Sequence, residues 1–236
     1  MLINPIFSRT TIPGGVKTAL VLITSLLLAP NVAVVAPAVD GVDMIISIAK
    51  EIMIGITLSY IFAIYYYMLQ FSADMMDLQF GLSMAKAMDP QTQIQTGISG
   101  NLLTIVFMLY FFATNSHLVL LQVAAYSFIV IPAGGEGILI SNMAGFVMEI
   151  FSSVFSLALR LCLPYLITGF ILEISMGILM KLIPQIHIFV IHMQAKIILG
   201  VVLLMLLASP LATFIDNYIM SALKHMQDAL SAMLST

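Results

Sequence analysis

The sequence predicts an all-α integral membrane protein, on three observations. Apolar residues fill 61% of the 236 positions and charged ones only 8%, against about 45–50% and about 25% in soluble domains. Mean hydropathy is +1.13. A water-soluble fold of this size would lack the charges to cover its surface, so lipid is the solvent for most of it. In lipid the backbone must satisfy its own hydrogen bonds, which leaves helices or a closed barrel. A barrel shows polar and apolar positions alternating in strands of about 10 residues, whereas the apolar runs here are unbroken and much longer. Long, kinked helices and short helical hairpins are therefore expected.

The elements follow in order. Residues 1–11 lack the long apolar core of a signal peptide, and Ile12-Pro13-Gly14-Gly15 signals a turn. Residues 16–29 are apolar, Pro30 interrupts them and 32–39 resume, so this stretch spans bent or ends early. The clearest span is 52–73, which Lys50-Glu51 opens; at helical rise it covers roughly 33 Å, enough for a hydrocarbon core of about 30 Å. Beyond it come Asp74, Asp77, Gln79, Lys86 and Asp89, and residues 79–101 are the least hydrophobic part of the chain.

Two shorter runs, 102–113 and 118–131, flank Asn115-Ser116-His117. Each reaches only about 18–21 Å, short of a crossing. A helical hairpin, re-entrant or buried against partner helices, is the better reading, and Pro132-Ala133-Gly134-Gly135 closes it. Residues 137–159 and 161–180 are two more long runs, hinged around Arg160 and Pro164. A polar interruption at 181–196 centres on Pro184-Gln185, and 197–215 is a final apolar helix with Pro210 late in it. In residues 216–236, Ile219, Leu223, Met226, Leu230 and Met233 recur at helical spacing. They predict an amphipathic C-terminal tail that lies on the membrane or binds a partner. With no repeat and no linker in the sequence, 1–236 is read as a single polytopic membrane domain. Lys and Arg are scattered, so the positive-inside rule assigns no orientation.

Net charge is −3 with no basic tract, which argues against nucleic acid as a partner and against a polybasic tail that binds anionic lipid. Cys162 is the single cysteine, inside an apolar run, and is expected to be a small buried hydrophobe. Charges inside apolar helices are costly unless they face a bundle interior or water, so Glu149, Arg160, Glu173 and Lys196 are informative. Gly145, Glu149, Ser153, Ser156 and Arg160 follow Asn142 at steps of three or four, one stripe of a helix. Glu149 and Arg160 stand about 16 Å apart along it and cannot pair. A second stripe, Glu51, Gly55 and Ser59, uses small residues that allow close approach, and Lys196 and Gly200 repeat the spacing. These stripes are read either as a conduit or subunit seam, or as interhelical glue within a bundle.

Catalysis finds no support. There is no H-E-x-x-H, G-x-S-x-G, P-loop or G-x-G-x-x-G, and His117, His187, His192 and His225 lack metal-ligand spacing. No cofactor or metal is expected. A small-solute permease subunit would share this composition but not the two sub-length runs.

Six elements then stand in order: Lys50-Glu51-Ile52-Met53-Ile54-Gly55-Ile56; Asp77-Leu78-Gln79-Phe80-Gly81-Leu82-Ser83; Asp89-Pro90-Gln91; Asn115-Ser116-His117; Leu159-Arg160-Leu161-Cys162-Leu163-Pro164; and Pro184-Gln185, Phe189 and Lys196-Ile197-Ile198-Leu199-Gly200. Together they resemble the FliR family of flagellar export proteins. They match its E-I-x-I-G helix start, Q-x-G-[LF] segment, D-P-Q signature, hairpin turn, L-R-L-x-x-P element and P-Q…F…K-I-x-x-G block. Gln194 stands where a proline is common and His192 where an aromatic or small residue is usual. The family usually has an apolar helix ahead of the element matched by Asn4-Pro5-Ile6-Phe7, so the expectation is a set of helices without that first one.

The resemblance implies a structural subunit of the flagellar type III protein-export gate, in a helical hetero-oligomer with FliP-like and FliQ-like, and also FlhB-like and FlhA-like, membrane proteins. Unfolded flagellar proteins would pass through it across the bacterial inner membrane, at the flagellar basal body. Injectisome gates are the related alternative. The resemblance also assigns the polar stretch to a plug of the closed gate, with Gln79, Gly81, Asp89, Pro90, Gln91, Gly97 and Gly100 as its candidate residues. The seam or conduit candidates are Glu51, Gly55, Glu149, Ser153, Ser156, Arg160, Glu173, Lys196 and Gly200.

Overall fold

Because lipid offers the backbone no hydrogen-bond partner, the apolar stretches can order only by closing their own i to i−4 bonds, and every regular element among the described residues is helical. A computed structural model describes residues 4–8, 12–32, 41–82, 97–131, 143–183 and 188–234. In chain order they form α1 (Gly14–Leu28), a short 3-10 turn (Ala29–Asn31), α2 (Gly41–Gln79), α3 (Ile98–Ala113), α4 (Ser116–Val130), α5 (Met143–Leu182), α6 (Ile188–Leu206) and α7 (Ala208–Leu234).

Helix α1 ends where Pro30 enters the 3-10 turn, since proline cannot donate to the helix ladder. No residue of α1 is buried. Helices α2 and α5 have 39 and 40 residues, so each rises about 60 Å, twice the hydrocarbon thickness. Both exceed the apolar runs read from sequence. The hinge expected around Arg160 and Pro164 does not divide α5, which runs on through Pro164. Thr168 Oγ1, in the next turn, donates to the Pro164 carbonyl at 2.8 Å.

The two short runs form α3 and α4, which qualify as a span only together, as a bent pair. Their break lies at Asn115, whose φ of 57° is left-handed, a conformation asparagine adopts more readily than most residues. The last apolar stretch also departs from expectation. It bends by 64° between α6 and α7, and Pro210 falls in the first turn of α7, where a missing N–H costs nothing. The tail is thus the continuation of a helix that begins at Ala208.

The chain divides into two compact units. The first combines Met1–Tyr66, Phe112–Ser153 and Tyr218–Thr236, around Ile61, Phe62, Tyr65, Val123 and Ile150. Ile219, Leu223, Met226, Leu230 and Met233 are all buried. This corrects the reading of a tail free for lipid or a partner: its apolar stripe is already covered. Tyr218 hydroxyl donates to the Tyr65 carbonyl at 2.9 Å, and the Tyr65 hydroxyl bonds His225 Nδ1 at 2.7 Å. The second unit combines Tyr67–Phe111 and Val154–Asn217, around Leu69, Phe80, Phe107, Cys162 and Tyr165. Ser72 donates to the Ala158 carbonyl there at 2.9 Å, and the Gln70 amide bonds Thr104 Oγ1.

Candidate functional site

The end of α2, where the chain turns polar, is built into the second unit. Ala73, Met76 and Phe80 fall at helical spacing and are fully buried, so this face anchors the last turns. Asp77 is buried with them. Its Oδ1 accepts the Ser99 N–H at 3.1 Å, at the first turn of α3. That amide has no partner within its own helix, and a carboxylate there also meets the positive end of the helix dipole. One hydrogen bond therefore ties the residues before the polar stretch to those after it.

Three glycine positions complete the anchorage. Gly81, with φ of 69°, ends α2 in a conformation that glycine alone adopts cheaply, and a side chain there would meet Met193 Cε at 3.3 Å. The Gln79 side chain lies so closely over Gly169 of α5 that a Cβ there would overlap its Cγ, Cδ and Nε2. The Phe80 ring lies over Gly200 of α6, where a Cβ would come within 2.7 Å of ring Cγ. Tyr165 packs edge-on to Phe80 at a centroid distance of 5.8 Å. Asp77 Oδ2, Gln79 Nε2, Ser99 Oγ and the Tyr165 hydroxyl are buried there without a hydrogen-bond partner.

The candidates from sequence therefore separate. Gln79 and Gly81 belong to this anchorage, and Gly97 and Gly100 are buried at the start of α3; Asp89, Pro90 and Gln91 lie outside the described residues. Gly200 is an internal packing position. Glu173 and Lys196 form an ion pair at 2.6 Å between α5 and α6, their side chains 40% and 12% exposed. Sequence had singled out both without joining them. Glu149, Ser153, Ser156 and Arg160 are all exposed, and no acidic or basic side chain among the described residues pairs with Glu149 or Arg160. Gly145 and Gly55 have nothing within 4 Å of an added Cβ. Glu51, Gly55 and Ser59 instead line a cavity of about 160 Å³ in the first unit, with Asn4, Ser127 and Met226.

Sequence reasoning missed Ser99, Gly169 and Met193. A capping pattern was the available signal for Asp77 and Ser99, but the two are separated by 22 residues, well beyond the few residues a capping motif spans. Nothing local marks Gly169 as the floor beneath Gln79. The arrangement holds no reactive constellation. Among the described residues, no group of three His, Cys, Asp or Glu side chains gathers to bind a metal. What it can do is hold a polar segment at a fixed base while presenting unpaired polar and small residues elsewhere.

The family model for bacterial export proteins, family 1, matches residues 1–222. The chain belongs to that family. Flagellar biosynthetic protein FliR of Escherichia coli (strain K12) is 26% identical over 227 residues, covering 96% of this chain and 87% of that protein. FliR of Bacillus subtilis (strain 168) is 26% identical over 188 residues, 77% of this chain and 71% of its own length. Yop proteins translocation protein T of Yersinia pestis is 27% identical over 169 residues, 71% and 65% respectively. Among the described residues, two helices are long and apolar enough to cross a membrane, or up to four with each bent pair counted as one.

Proposed function

We propose that this chain is a structural subunit of the type III protein-export gate of the flagellum, through which unfolded flagellar proteins cross the bacterial inner membrane. The observation that carries this reading is the family match over residues 1–222, joined by FliR relatives of nearly the same extent. The exposed, unpaired stripe of Glu149, Ser153, Ser156 and Arg160 supports it. Lipid would penalise the Glu149 carboxylate unless other chains or water cover it.

The partners are FliP-like and FliQ-like membrane subunits, with FlhB-like and FlhA-like proteins alongside, and the site of action is the flagellar basal body. The chain does no catalysis; it contributes helices. Its two units act as one polytopic domain, since each is assembled from segments far apart in sequence. Glu51 and Gly55 join the exposed stripe as seam or conduit positions, while Glu173, Lys196 and Gly200 shape the helices that bear it. The residues from Gln79 to Gly100, Asp89-Pro90-Gln91 included, serve as the plug, held at its base by Asp77 and Ser99. The Yersinia relative keeps the injectisome branch as the second reading.

Deleting the gene tests the assignment. Filament export and swimming should stop while the envelope stays intact, and the wild-type gene should restore both. Cells that still secrete flagellin and swim would overturn it. In the complemented strain, Gly97→Trp or Gly100→Trp should change ion leakage or export; unaltered leakage and motility in both would remove the plug role.

A further inference from the structure

Arg160 opens onto a groove in the second unit that the export reading leaves without an occupant. Leu161, Pro164 and Tyr165 of α5 form one wall, and Leu207, Pro210, Leu211 and Phe214, around the break between α6 and α7, form the other. Between them lies an open groove of about 140 Å³. The lining is apolar apart from two groups. One is the exposed Arg160 guanidinium, which no carboxylate among the described residues meets. The other is Tyr165, a residue 1% exposed whose hydroxyl has no hydrogen-bond partner.

Depth along α5 says what reaches this cation. Residues 161–180 carry a single charge, Glu173, and Glu173 is paired with Lys196. As a helix that run rises about 30 Å, the thickness of the hydrocarbon core. Arg160 and Lys181 bracket it, where long basic side chains reach toward headgroups. Arg160 thus stands at one end of a run of bilayer length, with an apolar groove beside it.

We propose that this groove binds one phospholipid with an anionic headgroup, its phosphate on Arg160 and an acyl chain along Pro164, Leu207, Leu211 and Phe214. Charge complementarity selects an anion, since among the described residues Arg160 is the one charged group lining the cavity. The apolar walls select an amphiphile rather than a free ion. A guanidinium also matches phosphate oxygens in a two-pronged geometry.

Native mass spectrometry of the full chain, purified with the membrane subunits that accompany it and delipidated in neutral detergent, tests this. Palmitoyl-oleoyl phosphatidylglycerol and the phosphatidylcholine of the same chains are added at equal concentration. Phosphatidylglycerol should be retained about fivefold better, the factor one basic side chain supplies at a charged membrane surface. Arg160→Gln should erase that preference, and Arg160→Lys should keep part of it. Leu207→Trp, which fills the groove and leaves the cation, should lower retention of both lipids; it serves if Arg160→Gln does not fold. Equal retention by the wild type, or a preference intact in Arg160→Gln, would overturn the proposal. So would complete displacement by inorganic phosphate, which would make the site a free-anion site. If Arg160→Gln instead strips a partner subunit while the lipid preference stays, the groove belongs to an acidic partner helix. None of these outcomes touches the export assay, so the two readings fail separately.

Discussion

At the scale of single residues, the glycines divide by what they touch. Gly200 and Gly169 are floors for Phe80 and Gln79, whereas Gly55 and Gly145 open onto empty space. Gly200→Ala pushes a methyl group into a buried aromatic ring and should cost about 1–3 kcal/mol, as overpacking does. Gly55→Ala should leave the stability of the chain unchanged or slightly raised, because alanine is the better helix former by about 1 kcal/mol. Thermal melts of the purified protein in detergent would show the contrast. Equal melts for the two variants would mean that Phe80 yields to the added methyl. Sequence spacing marked Gly55 and Gly200 alike, because a period of 3.6 reports a helix face and not what lies opposite. Phe80 and Gly200 are remote in sequence, and only the fold pairs them.

At the scale of elements, hydropathy reads the lipid slab rather than the helix. It placed a span at 52–73, while α2 runs from Gly41 to Gln79, because a helix continues past the hydrocarbon wherever nothing breaks it. Pro164 was read as a hinge yet sits inside α5, while Asn115 and the bend before Pro210 do divide helices. Proline stops a helix only where its lost bond and ring clash are not accommodated. Between α5 and α6 the Glu173–Lys196 pair binds two long apolar helices at one point. Glu173→Gln should lower stability by about 1.5–3 kcal/mol, the range for hydrogen bonds to charged groups, toward the lower end because Glu173 is half-exposed. Replacing both residues together, Glu173→Leu with Lys196→Met, should recover most of that loss, since apolar pairs replace buried ion pairs well. Survival after heating, followed by size-exclusion chromatography, reads both; a double variant no better than the single would contradict the pairing.

For the whole molecule, composition alone gave the helical membrane class, and ordered motifs gave the family. Neither revealed that the chain folds as two units woven from distant segments, because hydropathy has no term for which helices meet. The exposed stripe led by Glu149 is a feature of this scale. Glu149→Gln should leave the melting of the chain itself unchanged, since nothing among the described residues pairs with that carboxylate. It should lower the yield of co-purified membrane subunits; undiminished yield would place Glu149 away from any seam. The covered tail has a consequence of its own. The first unit takes in the opening residues, a middle stretch and residues 218–236, and Ile219, Leu223 and Leu230 fill its centre. Until residues 218–230 have been synthesised, that centre stands open. A translation product interrupted before them would leave a hydrophobic gap for quality-control proteases to find.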